Sequence, residues 1–141
     1  MSVDVKLTRQ SSRSAVKFYH VVAAGRIFLG TSMMFFPGTS GGLWLGKNWA
    51  KQPVARYHTR INGGRETALG VSLLSAADNT TSMERLLWVG AIFDIWDACT
   101  ALFVGRCLGS GHRQRQAVLA PAIWVTLSVM ATRQIKDDNL R

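Results

Sequence analysis

Acidic residues are scarce in this chain: eight Asp and Glu stand against seventeen Lys and Arg in 141 residues, for a formal charge of +9 and a pI near 10.6. Such a balance points to nucleic acid, a membrane surface or acidic partners. The first is set aside, because the basic residues line no single helical face and no nucleic-acid motif occurs. Cysteine is nearly absent. Cys99 and Cys107 stand eight apart in or near one predicted helix, about 12 Å along it at 1.5 Å per residue. That distance excludes a disulfide within the helix. No CxxC or HxxxH spacing exists, so neither a metal nor another cofactor is expected. No strand pattern and no low-complexity segment is present. A cleavable signal is not expected either: residues 1–17 are polar, and the first apolar block carries Arg26 at its middle.

What the chain does have is apolar mass, unevenly spread. Hydrophobic residues make up 48% of it and concentrate in four blocks, with Lys and Arg mostly between them. A soluble helix keeps a charged outer face, and these blocks have none. The expected fold is therefore an all-α transmembrane four-helix bundle. It comprises a polar basic tail over 1–17, a membrane domain over 18–131 and a polar tail over 132–141. The spans are read at about 18–36, 61–77, 86–104 and 117–131. Nineteen residues cover about 28 Å, close to one bilayer core. The spans are short, which leaves a buried soluble helical bundle as the alternative.

Pro37-Gly38 stops the first span. The connector 38–60 begins Gly-rich, then carries Trp44, Trp49, Tyr57, Lys47, Lys51, Arg56 and Arg60. Tryptophan with lysine is typical of the headgroup layer, so part of it is expected to lie along the interface as a short helix; an ordinary loop is the alternative. Asp78-Asn79 ends the second span, and a tight polar turn follows to Glu84. Pro121 is placed in the first turns of the fourth span, where proline is tolerated. With the N-terminus inside, basic residues number eight inside against seven outside. That difference decides little, and N-inside is preferred only because the first helix usually dominates.

The informative feature is a set of charges inside the spans: Arg26, Arg65, Glu66, Asp94 and Asp97. A charge at the middle of a span costs roughly 2.5–3.5 kcal/mol on insertion scales. It is tolerated when it faces the bundle interior and finds a partner. Arg26 and Asp94 are each the ninth residue of their spans. Spans one and three run parallel in an up-down-up-down bundle, so the two residues fall at one depth. Asp97 shares the face of Asp94 three residues on, and the long Arg65 side chain reaches toward Asp97. Two readings stay open: a salt-bridged lock that fixes helix register, or a polar site that does chemistry. Two carboxylates three apart on one helix suit acid–base work, one held ionised by arginine and the other able to hold a proton. On the chemical reading Asp94 and Asp97 form the acid–base pair, with Glu66 as an alternate base. Arg26, Arg65 and Trp96 then form the substrate-binding set. Trp88, Trp96 and Trp124 also fit packing or an aromatic belt. Gly25, Gly30, Gly70, Gly90 and Ala98 fit close helix contact. His20 and His58 fall near the expected interfaces.

Gly25-Arg26 with Gly30, Pro37, Arg60 followed by Gly64-Arg65-Glu66, Ala68-Leu69-Gly70, and Asp94 resemble a family of small four-helix membrane proteins of unassigned function in bacteria and fungi. That family is distantly similar to the DoxX-like bundles. The resemblance covers about residues 18–130 and implies the fold and a membrane address. Some small membrane proteins of this general kind are encoded in biosynthetic pathways for lipophilic compounds, which implies by analogy an isomerase or cyclase. The expected function is thus a multi-pass membrane protein with acid–base isomerase or cyclase activity on a lipophilic intermediate. The alternative is a non-catalytic subunit or scaffold of a membrane complex. The expected partners are the bilayer and either a lipophilic small molecule or other membrane subunits.

Overall fold

The computed structural model describes residues 17–104 and 111–139. Residues 1–16, 105–110 (with Cys107) and 140–141, and the side chains of Trp44 and Trp49, lie outside the described residues. Among those described, all regular structure is helical: α1 (Phe18–Phe35), α2 (Pro37–Leu45), α3 (Lys47–Ala50), α4 (Pro53–Ser75), α5 (Thr80–Val104) and α6 (Gly111–Asn139).

Each boundary has a local cause. Pro37 has no N–H to continue α1 and sits at the first position of α2, where its fixed φ is favourable. The chain bends there by 115°, which sets α2 close to perpendicular to α1. The Ser40 hydroxyl donates back to the Ser32 carbonyl at 3.2 Å and holds the corner. Gly46 breaks α2 from α3 with φ of 89°, a left-handed conformation that favours glycine. The expected interfacial segment is therefore helical over most of its length. Pro53 again occupies a first helical position, so α4 begins eight residues before the apolar stretch that starts at Ile61. Asn79 caps α5: its side-chain oxygen accepts the Ser82 N–H at 2.9 Å. This starts the helix at Thr80 rather than at the first apolar run.

α6 differs most from the sequence reading. It starts at Gly111, so Pro121 lies inside the helix rather than in its first turns, and the carbonyl one turn before it loses its helical donor. It also continues through residues 132–139. Ala131, Thr132 and Ile135 are buried. The Gln134 side chain accepts the Phe18 N–H at 2.7 Å, and Lys136 pairs with Glu84 at 2.9 Å. Packing and pairing hold this segment helical although its residues are mostly polar.

The four long helices alternate in direction. α1 packs along α4, and α5 along α6. Gly30 lies against Gly63 and Thr67, and Gly70 against Ala23 and Ile27. As the numbers rise on α1 they fall on α4, so the pair is antiparallel. The two backbones come so close that a Cβ on Gly30 would stand 2.5 Å from the Gly63 carbonyl oxygen; only glycine permits that approach. α6 runs antiparallel to α1, through Phe18 with Gln134 and Gly25 with Trp124. It also runs antiparallel to α5, through Glu84 with Lys136. α1 and α5 are therefore parallel. The apolar core of Tyr19, Val22, Ala23, Leu73, Met83, Leu87, Ala131 and Ile135 fills the half nearest the start of α1.

Much of the surface along the helices is apolar. Phe103 is 86% exposed, Phe28 77% and Trp96 70%, with Ile92, Leu119 and Ile123 also outward. Exposed apolar area of this extent marks a surface covered by something other than water. Thr80–Phe103 and Gln114–Asp138 are long and apolar enough to cross a membrane, and the bent pair α1–α2 is a third candidate if counted as one span.

Candidate functional site

Just beyond the apolar core, the five internal charges meet in one network. Arg26 on α1 is 1% exposed. One of its terminal nitrogens donates to Glu66 of α4 and the other to Asp94 of α5. The other oxygen of Glu66 accepts from Arg65, from Nη2 at 3.1 Å and Nε at 3.3 Å. Arg65 Nη2 continues to Asp97 Oδ2 at 2.6 Å. The order is Asp94–Arg26–Glu66–Arg65–Asp97, with carboxylate and guanidinium alternating. Three carboxylates face two guanidiniums, an excess of one negative charge when all five are ionised.

The sequence periodicity accounts for the convergence. Asp94 and Asp97 are three apart and share a face of α5. Arg26 and Glu66 fall in the register set by the Gly30–Gly63 and Ala23–Gly70 contacts. The expected pairing of Arg26 with Asp94, at equal depth in parallel helices, is present, and so is the reach of Arg65 to Asp97. The two Gly-Arg pairs, Gly25-Arg26 and Gly64-Arg65, contribute both guanidiniums from antiparallel helices. Glu66, read as an alternate base, sits at the centre as the bridge between the arginines.

Three neighbours complete the site; the sequence marks Trp124 and Gly90 only as packing or close-contact residues, and it does not single out Phe93. The Trp124 ring on α6 lies over Arg26, with Cζ 5.1 Å from its centroid. The Phe93 ring lies 5.3 Å from Arg65 Cζ. Both contacts have cation–π geometry. Gly90 leaves the room Arg26 occupies; a Cβ there would stand 3.0 Å from Nη2. Their recruitment depends on the register between helices remote in sequence. Trp96, by contrast, does not join the site. At about 100° per residue it sits roughly 200° around α5 from Asp94, and it faces outward.

Burial grades along the network. Arg26, Glu66 and Asp94 are enclosed, whereas the side chain of Arg65 is 26% exposed and that of Asp97 38%. The open end faces away from the apolar core, toward the end where α1 gives way to α2. A separate cleft of about 400 Å³, lined by Phe18, Met130, Arg133, Gln134, Asp137 and Asp138, lies at the opposite end and contains none of the five. His20 and His58 are exposed, remote from the network in sequence register. Among the described residues, no group of three or more His, Cys, Asp or Glu is arranged to hold a metal ion.

No protein-family profile, no curated protein and no solved structure matches this chain.

Proposed function

We propose that the chain is a multi-pass membrane protein, a transmembrane four-helix bundle of the DoxX-like kind, whose charge network works as an acid–base site on a lipophilic molecule. The membrane reading is supported by the inverted surface: phenylalanine and tryptophan outside, arginine and carboxylates inside. α4 serves as the fourth span because its charges Arg65 and Glu66 turn inward. From Ile61 to Ser75 it covers about 22 Å, so the bilayer thins or the helix is offset at that point.

The observation that carries the catalytic reading is the open end of the network. A lock needs balanced, enclosed charges. Here the carboxylates outnumber the guanidiniums, and Asp97 is more than a third exposed beside Arg65. A carboxylate so placed accepts a proton from one carbon of a substrate and returns it to another, which is an isomerisation; as the neutral acid it donates its proton to a double bond to start a cyclisation and takes one back from the cyclised cation. The proton is regained in either case, and no further reactant is consumed. Arg65 orients the substrate's polar group, while Arg26, Glu66 and Asp94 hold the geometry from behind. One specific observation favours the scaffold alternative, which is the enclosure of that inner trio.

Two experiments test these readings. Alkaline carbonate washing should leave the protein in the membrane pellet; recovery in the soluble fraction without detergent refutes the membrane reading. Asp97→Asn and Asp94→Asn are then introduced singly in cells, and the lipophilic metabolites that depend on the wild-type chain are compared by mass spectrometry beside melting in detergent. General acid–base groups contribute about 10²–10⁴-fold, so Asp97→Asn should abolish product with little change in melting. Full product yield from both variants leaves the scaffold reading.

A further inference from the structure

The two ends of the helix array differ in how their positive charge is held. At the end near the start of α1, Lys17 stands 3.9 Å from Asp138 and Lys136 pairs with Glu84, and Asp78 and Asp137 lie close by in the chain. At the other end, residues 37–60 and 105–116 contain no Asp or Glu at all. Lys47, Lys51 and Arg60 are exposed there, and none has an ion-pair partner among the described residues. Arg56 is committed to the fold, since its Nε donates to the Ala50 carbonyl at 2.9 Å. Arg115 on α6 is exposed at the same end.

The same end carries an apolar rim. Phe35, Phe36, Leu43, Val54 and Tyr57 are all strongly exposed, and α2 lies nearly across the axis of α1. Apolar side chains beside free ammonium and guanidinium groups, on a helix lying across the spans, match a headgroup layer: acyl chains meet the rim, and anionic phosphates meet the cations.

Resting on the membrane reading above, we infer that α2, α3 and the first two turns of α4 form a docking surface for anionic phospholipid headgroups, with Lys47, Lys51 and Arg60 as the phosphate-facing cations. Charge complementarity decides the occupant, because residues 37–60 and 105–116 supply cations and no acidic residue, while Asp97, which opens toward this end, is already paired with Arg65. Each cation near such a surface contributes about fivefold in affinity at modest salt, so three contribute on the order of a hundredfold. The effect fades as ionic strength rises.

The test uses the full chain in a neutral detergent, titrated with phosphatidylglycerol or phosphatidylcholine, with retained lipid counted by native mass spectrometry. Wild type should retain phosphatidylglycerol in preference. The variant Lys47→Gln/Lys51→Gln/Arg60→Gln should lose that preference on the order of a hundredfold with unchanged melting. Arg133→Gln/Lys136→Gln at the opposite end should keep it. Equal retention of the two lipids, wild-type retention by the triple variant, or equal loss in the opposite-end variant overturns the inference. So does full displacement of the lipid by millimolar inorganic phosphate, which would mark a site for a free anion. If the triple variant melts lower, Lys47→Gln/Lys51→Gln at the α3 surface decides in its place. Release of the wild-type chain by carbonate overturns the membrane reading and this surface together, whereas a missing lipid preference in a carbonate-resistant protein overturns the surface alone.

Discussion

Replacing Arg26 with methionine should be the most damaging single change in the network. The side chain is 1% exposed and holds Glu66 and Asp94 at once. Methionine keeps much of the apolar stem and removes only the shared guanidinium. Glu66 retains Arg65 at 3.1 Å, but Asp94 has no other side-chain hydrogen bond among the described residues. Breaking a buried pair in this way costs about 3–5 kcal/mol, because a charge is left enclosed without its partner. For a chain of this length that is a fall in melting temperature on the order of 10 °C. Asp97→Asn is the internal comparison: its pair is partly open to solvent, where such pairs contribute about 0–1 kcal/mol. Tryptophan fluorescence during thermal ramps in detergent measures both. Adding Asp94→Asn to Arg26→Met removes the orphaned carboxylate and should recover part of the loss, giving a coupling energy of about 1–3 kcal/mol between the two sites. If Arg26→Met melts within about 2 °C of wild type, or the double variant shows no coupling, the network does not hold these helices together.

Two further outcomes follow from the small residues around the site. Gly63→Ala should be strongly destabilising, since its Cβ would stand 2.6 Å from the Gly30 carbonyl oxygen and 2.9 Å from the Met34 nitrogen. Gly64→Ala, with nothing within 4 Å, should instead stabilise α4 by about 0.5–1 kcal/mol; melting of the adjacent pair is the check, and equal effects would refute the close α1–α4 approach. Trp124→Leu should cost about 2–3 kcal/mol through lost packing and cation–π contact. It should also make Gly25→Ala tolerable, because the three atoms nearest a Cβ there all belong to the Trp124 ring, the first at 2.6 Å; if Gly25→Ala is as damaging in that background as alone, the ring does not occupy that space.

The sequence alone determined that the chain is helical, that apolar blocks alternate with basic connectors, and that Arg26, Arg65, Asp94 and Asp97 are charges placed inside those blocks. It also placed Arg26 and Asp94 at one depth, because helix rise is constant and parallel helices then match by counting. These are properties of single helices and their lengths, which periodicity and composition carry directly. The tertiary structure decided what depends on register between helices. It put Glu66 between the two arginines and Trp124 over Arg26, and it turned Trp96 outward. The ends of the helices also needed it. α6 runs past its apolar stretch because Ile135 is buried, Gln134 holds the start of α1 and Lys136 meets Glu84. α4 begins early because Pro53 suits a first turn despite the polar residues that follow. Local propensity was weak at these boundaries, and contacts with distant residues set them.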